Sequence, residues 1–227
     1  WRGLRICLDE PDLFKTQLRA LLRASNLGKL RILLPMISDT QEIVRARALM
    51  DEVKEELRAS GQAFGEDAEL GVMVEVPSVA LMVDRFAPHC DFLSLGTNDL
   101  TQYVLAVDRG NSKVASLYDP FHPAVLQLIK TVANAGVSHA KPVNICGEMA
   151  GDPLATVLLI GLGLNRLSLS PGLIPEVKEI IRSTDSAQAR RVADVCLRME
   201  TGREVKAYLE EVAGESLPYW MRSEQRE

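Results

Sequence analysis

Five short apolar runs, at 31–35 (RILLP), 70–74, 91–95, 142–145 and 166–169, are each followed by a stretch with helical periodicity. No β-hairpin signal joins one run to the next. The strands predicted by this pattern therefore run parallel, buried on both faces and joined by helical crossovers. Few architectures satisfy that constraint. A (β/α)8 barrel needs eight such units over about 250 residues. Five units fit the later part of an α/β barrel of that kind, incomplete on its N-terminal side. The alternative is an open doubly wound sheet, but the first βα turns lack the GxGxxG loop expected there.

The helical stretches carry the usual apolar stripes. Between Gln41 and Arg58, residues Ile43, Ala46, Met50, Val53 and Leu57 share one face, with charges opposite. Phe14, Leu18, Leu21 and Leu22 form a second stripe, and Pro77 suits the first turn of a helix over 78–86. A further helix is expected from about Asp99, others over 124–135 and 154–160, and two or three between Ile174 and Val212. Gly110, Pro120 and Pro123 mark 108–123 as a long loop. There is no repeat or interdomain linker, so 1–213 reads as one partial barrel domain and 214–227 as a loose tail.

Composition removes several function classes. The chain has 227 residues, 47% hydrophobic and 25% charged, enough for one sizeable core. A formal charge of −5 gives no basic field for nucleic acid or an anionic membrane, so an anionic ligand must be held by particular arginines. Apolar runs such as 157–164 are too short to span a bilayer. No signal peptide opens the chain, which starts at Trp1 without a methionine, as a piece of a longer protein would. Cys7, Cys90, Cys146 and Cys196 lie far apart with no CxxC spacing, which fits reduced cytosolic thiols.

Three predicted strands end on reactive polar groups. GVMVEVP ends on Glu75, GTNDLTQY places Asn98 and Asp99 where a strand hands over to a helix, and CGEMAGD places Cys146 at the same kind of junction. In a barrel these ends share the C-terminal rim, where active sites are built. Two carboxylates, Glu75 and Asp99, without His or Cys neighbours suit a hard cation such as Mg2+. A thiol of ordinary pKa is mostly protonated at neutral pH and can give its proton to a carbanion. Arg2 and Arg109 are candidate anion clamps, because guanidinium matches carboxylate and phosphate oxygens. Plainer uses stay open on spacing alone. Glu75 could be an acid at a helix N-terminus, Asp99 a cap and Cys146 a small buried residue. His89, His122 and His139 lie beside prolines or in polar loops and read as surface residues.

GVMVEVPSVALMVDRF, DFLSLGTNDLTQYVLAVDRGN, LYDPFHPAVLQLI and ICGEMAGDP, together with the opening WRGLRICLDEPDLFKTQLRALLRAS and KLRILLPMI, resemble one family. It is Enzyme I, the phosphoenolpyruvate–protein phosphotransferase of the bacterial phosphotransferase system. The likeness is to its phosphoenolpyruvate-binding barrel and runs from residue 1 to about 185. Pyruvate phosphate dikinase and phosphoenolpyruvate synthase share a similar TNDLTQ segment. The dikinase usually reads CGEHGGD where this chain has CGEMAGD, and the synthase diverges after CG.

The resemblance implies a phosphoenolpyruvate/pyruvate-type (β/α)8 barrel and roles position by position. Glu75 and Asp99 match the Mg2+ ligands. Asn98 and Asp99 match the pair that contacts the substrate phosphate, Arg109 a substrate-binding arginine, and Arg2 the arginine of the GWR motif at the active-site mouth. Cys146 matches the acid that protonates the enolate carbon. It further implies phosphoryl transfer from phosphoenolpyruvate to a histidine of a separate N-terminal domain. From there the group passes to the histidine-containing phosphocarrier protein, with release of pyruvate, in a cytoplasmic homodimer serving sugar transport or nitrogen regulation. That histidine, and two further substrate arginines expected upstream, have no counterpart here. The fragment alone is therefore expected to be inactive. A non-enzymatic dimerisation module is the competing reading.

Overall fold

The computed structural model describes residues 2–216, and within them short helices precede a succession of strands each leading into helix. Of the expected tail, 214–227, the first three residues continue the last helix and 217–227 fall outside the described residues. In chain order the elements are α1 (Leu4–Asp9), α2 (Pro11–Ser25), β1 (Arg31–Leu34), α3 (Thr40–Ala59), β2 (Glu69–Val74), α4 (Pro77–Leu81), α5 (Val83–Phe86), β3 (Phe92–Gly96), α6 (Thr97–Leu105), α7 (Pro123–Ser138), β4 (Val143–Cys146), α8 (Pro153–Gly161), α9 (Ile174–Ser183), α10 (Ser186–Cys196) and α11 (Gly202–Ser216). The strands lie in the order β1-β2-β3-β4. β1 and β2 pair in parallel with Arg31 opposite Glu69 and Leu34 opposite Val72. The sheet is open, as in an incomplete barrel.

The chain divides into two compact units, 2–94 with 135–142, and 95–134 with 143 onwards. The division falls inside β3. In the first unit α3 shows why the pattern works. Asp39 caps it by accepting the Gln41 amide at 2.7 Å, while Glu42 returns to the Asp39 amide at 2.9 Å, a reciprocal box. Its stripe Ile43, Ala46, Met50, Val53 and Leu57 is buried. Full burial of each larger apolar side chain contributes roughly 1.5–3 kcal/mol. α2 buries Phe14, Leu18 and Leu22 by the same logic, with Pro11 in its first turn.

In the second unit α8 is almost wholly apolar and flanked by α9, α10 and α11. Its Asp152 cap accepts the Leu154 amide at 2.9 Å.

Three sequence expectations changed form. The fifth strand shrinks to a single parallel bridge, Ile145 to Leu167, held by Ile145 N–H to Arg166 O and Ser168 N–H to Ile145 O. The helix expected over 78–86 breaks at Met82 (φ −113°, ψ 23°) into α4 and α5. The break lets Val79, Ala80, Val83 and Phe86 all face inward while Leu81 and Met82 stay exposed. The opening segment, given no element from sequence, forms α1, with Leu4 N–H bonded to Pro35 O.

Candidate active-site residues

β3 is buried along its whole length and delivers the chain directly into α6, which begins without a side-chain cap. Asp99 lies in the first turn of α6, where a carboxylate meets the positive end of the helix dipole. It does not cap the helix. Its Oδ1 accepts the Nε2 amide of Gln102, three residues on, at 2.8 Å. α6 stops where Ala106 turns left-handed (φ 53°), and the returning chain places the Arg109 N–H 2.9 Å from Gln102 Oε1.

The Arg109 guanidinium lies over the Tyr118 ring, 5.6 Å from its centre, and Nη1 meets Glu148 Oε1 at 2.7 Å. Burial raises the Tyr118 phenol above its usual pKa, and the Arg109 charge opposes that rise. Glu148 in turn donates its backbone N–H to Asn98 Oδ1 at 3.0 Å. Asn98, Glu148, Arg109, Gln102 and Asp99 thus form a closed ring of contacts, completed by the peptide bond between Asn98 and Asp99. Gln102 and Glu148 were assigned no role from sequence, although both sit inside the two most informative motifs.

Cys146 ends β4 beside this ring. Its Sγ lies 3.3 Å from Leu95 O, where an S–H donates, and Thr97 Oγ1 donates to Cys146 O at 2.8 Å. Gly147 follows with φ 97°, and a Cβ there would come within 2.5 Å of Thr97 Oγ1 and 2.8 Å of Asn98 Oδ1. Glycine is required for the turn and for the close approach alike. Burial pushes Cys90 and Cys196 up to about 11, and it also raises Cys7.

In the first unit Glu75 and Arg2 meet at one residue. Glu75, only 6% exposed, accepts the Met36 N–H on Oε1 at 2.7 Å. Arg2 Nη2 approaches Met36 Sδ at 3.8 Å. Met36 holds a left-handed backbone (φ 60°), uncommon for a side chain of this kind. Gly3 (φ 67°) lies beneath it, where a Cβ would be 2.9 Å from the Met36 side chain. Glu75 is not a cap for α4 either, since that helix starts from Val76 with no side-chain bond.

A hard carboxylate, at Glu75 in the first unit and at Asp99 in the second, suits a hard cation. Among the described residues no group of three or more His, Cys, Asp or Glu side chains could hold a metal by itself. A cation shared with a substrate phosphate needs only one or two. Of the histidines, His139 pairs with Asp84 at 3.0 Å, His122 accepts the Ala124 N–H on Nδ1 at 3.2 Å, and His89 is exposed. No described helix is long and apolar enough to cross a membrane.

Residues 1–186 match the family described as "PEP-utilising enzyme, PEP-binding domain". The chain is 46% identical over 211 residues to a phosphoenolpyruvate-protein phosphotransferase of Haemophilus influenzae and equally to one of Bacillus subtilis. Each alignment covers 93% of this chain and 37% of the relative, so the chain spans little more than a third of those proteins. Among solved structures, a citrate lyase from Burkholderia xenovorans shares the fold at TM-score 0.56 and 16% identity, over 88% of this chain and 68% of the other. A pyruvate kinase from Cryptosporidium parvum does so at 0.53 and 12%, over 90% and 38%.

Proposed function

The chain belongs to the PEP-utilising enzymes through their PEP-binding domain, and from this we propose that it is the phosphoenolpyruvate-binding catalytic part of a phosphoenolpyruvate–protein phosphotransferase. The parent protein would move the phosphoryl group of phosphoenolpyruvate to one of its own histidines and on to a histidine-containing phosphocarrier protein, releasing pyruvate. The observation that carries this reading is the ring in the second unit. It holds an amide, a carboxylate and a guanidinium in fixed relation, with a thiol alongside.

In this reading Arg109 and Asn98 hold substrate phosphate and carboxylate oxygens, and Arg2 adds a second guanidinium. Glu75 and Asp99 would hold Mg2+, which when bound neutralises charge on the phosphoryl oxygens. A histidine of a separate domain attacks phosphorus in line. The N–P bond forms as the P–O bond to the enolate breaks. Cys146 then gives its proton to the methylene carbon of the enolate, leaving pyruvate and a thiolate that solvent reprotonates. We extend the proposal to a cytoplasmic homodimer, serving sugar transport or its nitrogen-regulatory counterpart. Residues 1–213 would be the barrel portion and 214–227 a tail.

The test is calorimetric titration of the chain with phosphoenolpyruvate, with and without Mg2+. Mg2+-dependent binding is expected, weakened in Arg109→Ala by roughly 10- to 100-fold, the range for a hydrogen bond to a charged group. Absence of Mg2+-dependent binding by the unaltered chain would overturn the reading.

A further inference from the structure

Gln102 uses both ends of its side chain within the ring. Nε2 donates to Asp99 Oδ1 at 2.8 Å, and Oε1 accepts the Arg109 N–H at 2.9 Å. An uncharged side chain carrying a donor and an acceptor on one planar group is an amide, and asparagine, one methylene shorter, spans less. Glutamate would set a second carboxylate against Asp99. Methionine would fill a similar volume and make neither bond.

The placement also has a mechanical consequence. Gln102 is anchored by its own helix one turn after Asp99, while Arg109 lies beyond the end of that helix. The side chain therefore bridges two segments of α6 and its exit, one bearing the carboxylate and the other the guanidinium. The far end of Arg109 is fixed separately, by Glu148 and the face of Tyr118. Rotation of the Asp99 carboxylate is thus felt at the Arg109 backbone through a single neutral group. Partners that orient a ligating carboxylate in this way are typically worth 10- to 100-fold in metal affinity or activity.

We propose that Gln102 is a positioning residue that couples the cation carboxylate Asp99 to the anion-binding Arg109, so that divalent cation and phosphoenolpyruvate bind cooperatively through it. This rests on the roles given to Asp99 and Arg109 under the proposed function. Coupling between two ligands is reciprocal, so the factor by which one tightens the other is a single quantity measurable from either side. Direct contact between cation and phosphate contributes to that factor and survives loss of Gln102. The contribution through the amide does not.

The experiment measures Mn2+ affinity of the chain by electron paramagnetic resonance, with and without saturating phosphoenolpyruvate, in the unaltered protein, Gln102→Met and Gln102→Glu. Thermal melts establish that each variant is folded. In the unaltered chain phosphoenolpyruvate should tighten Mn2+. In both variants that tightening should fall by about tenfold, within the usual range of coupling between two sites. A merely structural role would lower both single affinities and leave the tightening factor intact, and that result overturns the inference while the proposed function stands. If the unaltered chain binds neither ligand, the proposed function falls and takes the inference with it. Should Gln102→Met fail to fold, Gln102→Glu decides alone, since it keeps an acceptor for Arg109 and loses the donor to Asp99. Should neither fold, Gln102 is structural and the inference is overturned.

Discussion

At the scale of single residues, the polar groups at the strand ends were readable because β-strand termination and charge type are both written in the sequence. Glu75, Asp99 and Cys146 each follow an apolar run, and each lies at the junction expected for it. What the sequence hid were bonds between segments far apart in the chain. Nothing in the spacing of Gln102 and Arg109, or of Asn98 and Glu148, says that one side chain meets the other's backbone. Those meetings depend on the left-handed turn at Ala106 and on Gly147, and only coordinates reveal them. Gly147 offers the sharpest single test. Gly147→Ala forces a Cβ toward Thr97 and Asn98 in a backbone region that L residues rarely adopt. We expect a loss of about 1–3 kcal/mol in stability by urea denaturation. Weaker phosphoenolpyruvate binding should accompany it, because Asn98 is the group displaced. Unchanged stability would mean that the turn relaxes freely.

At the scale of elements, legibility followed periodicity. The stripe of α3 was correct at all five positions because an amphipathic 20-residue helix repeats its signal several times over. The run at 166–169 was harder. Arg-Leu-Ser-Leu alternates like a strand, yet a strand needs a neighbour for its backbone, and among the described residues only Ile145 supplies one. The sequence states the capacity to pair and says nothing of the partner. α1 escaped for the opposite reason, being a short helix entered from a left-handed glycine. The cap of α3 is testable in isolation from the site. Asp39→Ala removes the acceptor for the first-turn amide and should cost about 1 kcal/mol in chemical denaturation. Asp39→Asn, which keeps the acceptor, should recover most of it. Equal losses in the two variants would show that charge, not the cap bond, was the contribution.

At the scale of the whole molecule, the parallel sheet of an incomplete barrel was foreseen from strand–helix alternation. The division into two compact units was not, because no linker composition marks it. The division falls within β3 and again within α7, whose last turn belongs with the first unit. The segment just after that turn is tied in by His139 to Asp84 and by the Leu93 N–H to Pro142 O. Considered as an order of synthesis, this means the first unit is not finished when residue 94 leaves the ribosome. It waits until residue 142 has emerged, and most of the intervening chain belongs to the other unit. Nascent chains arrested once about residue 120 has left the exit tunnel should therefore be cut readily by protease within 2–94. Chains arrested beyond residue 142 should gain protection there, in one step. A nascent chain already protected at the shorter length would show that the first unit closes without its late-arriving piece. If protection does wait, the gene's order of translation obliges two folding events to overlap, and no cut of the sequence into two contiguous halves can separate them.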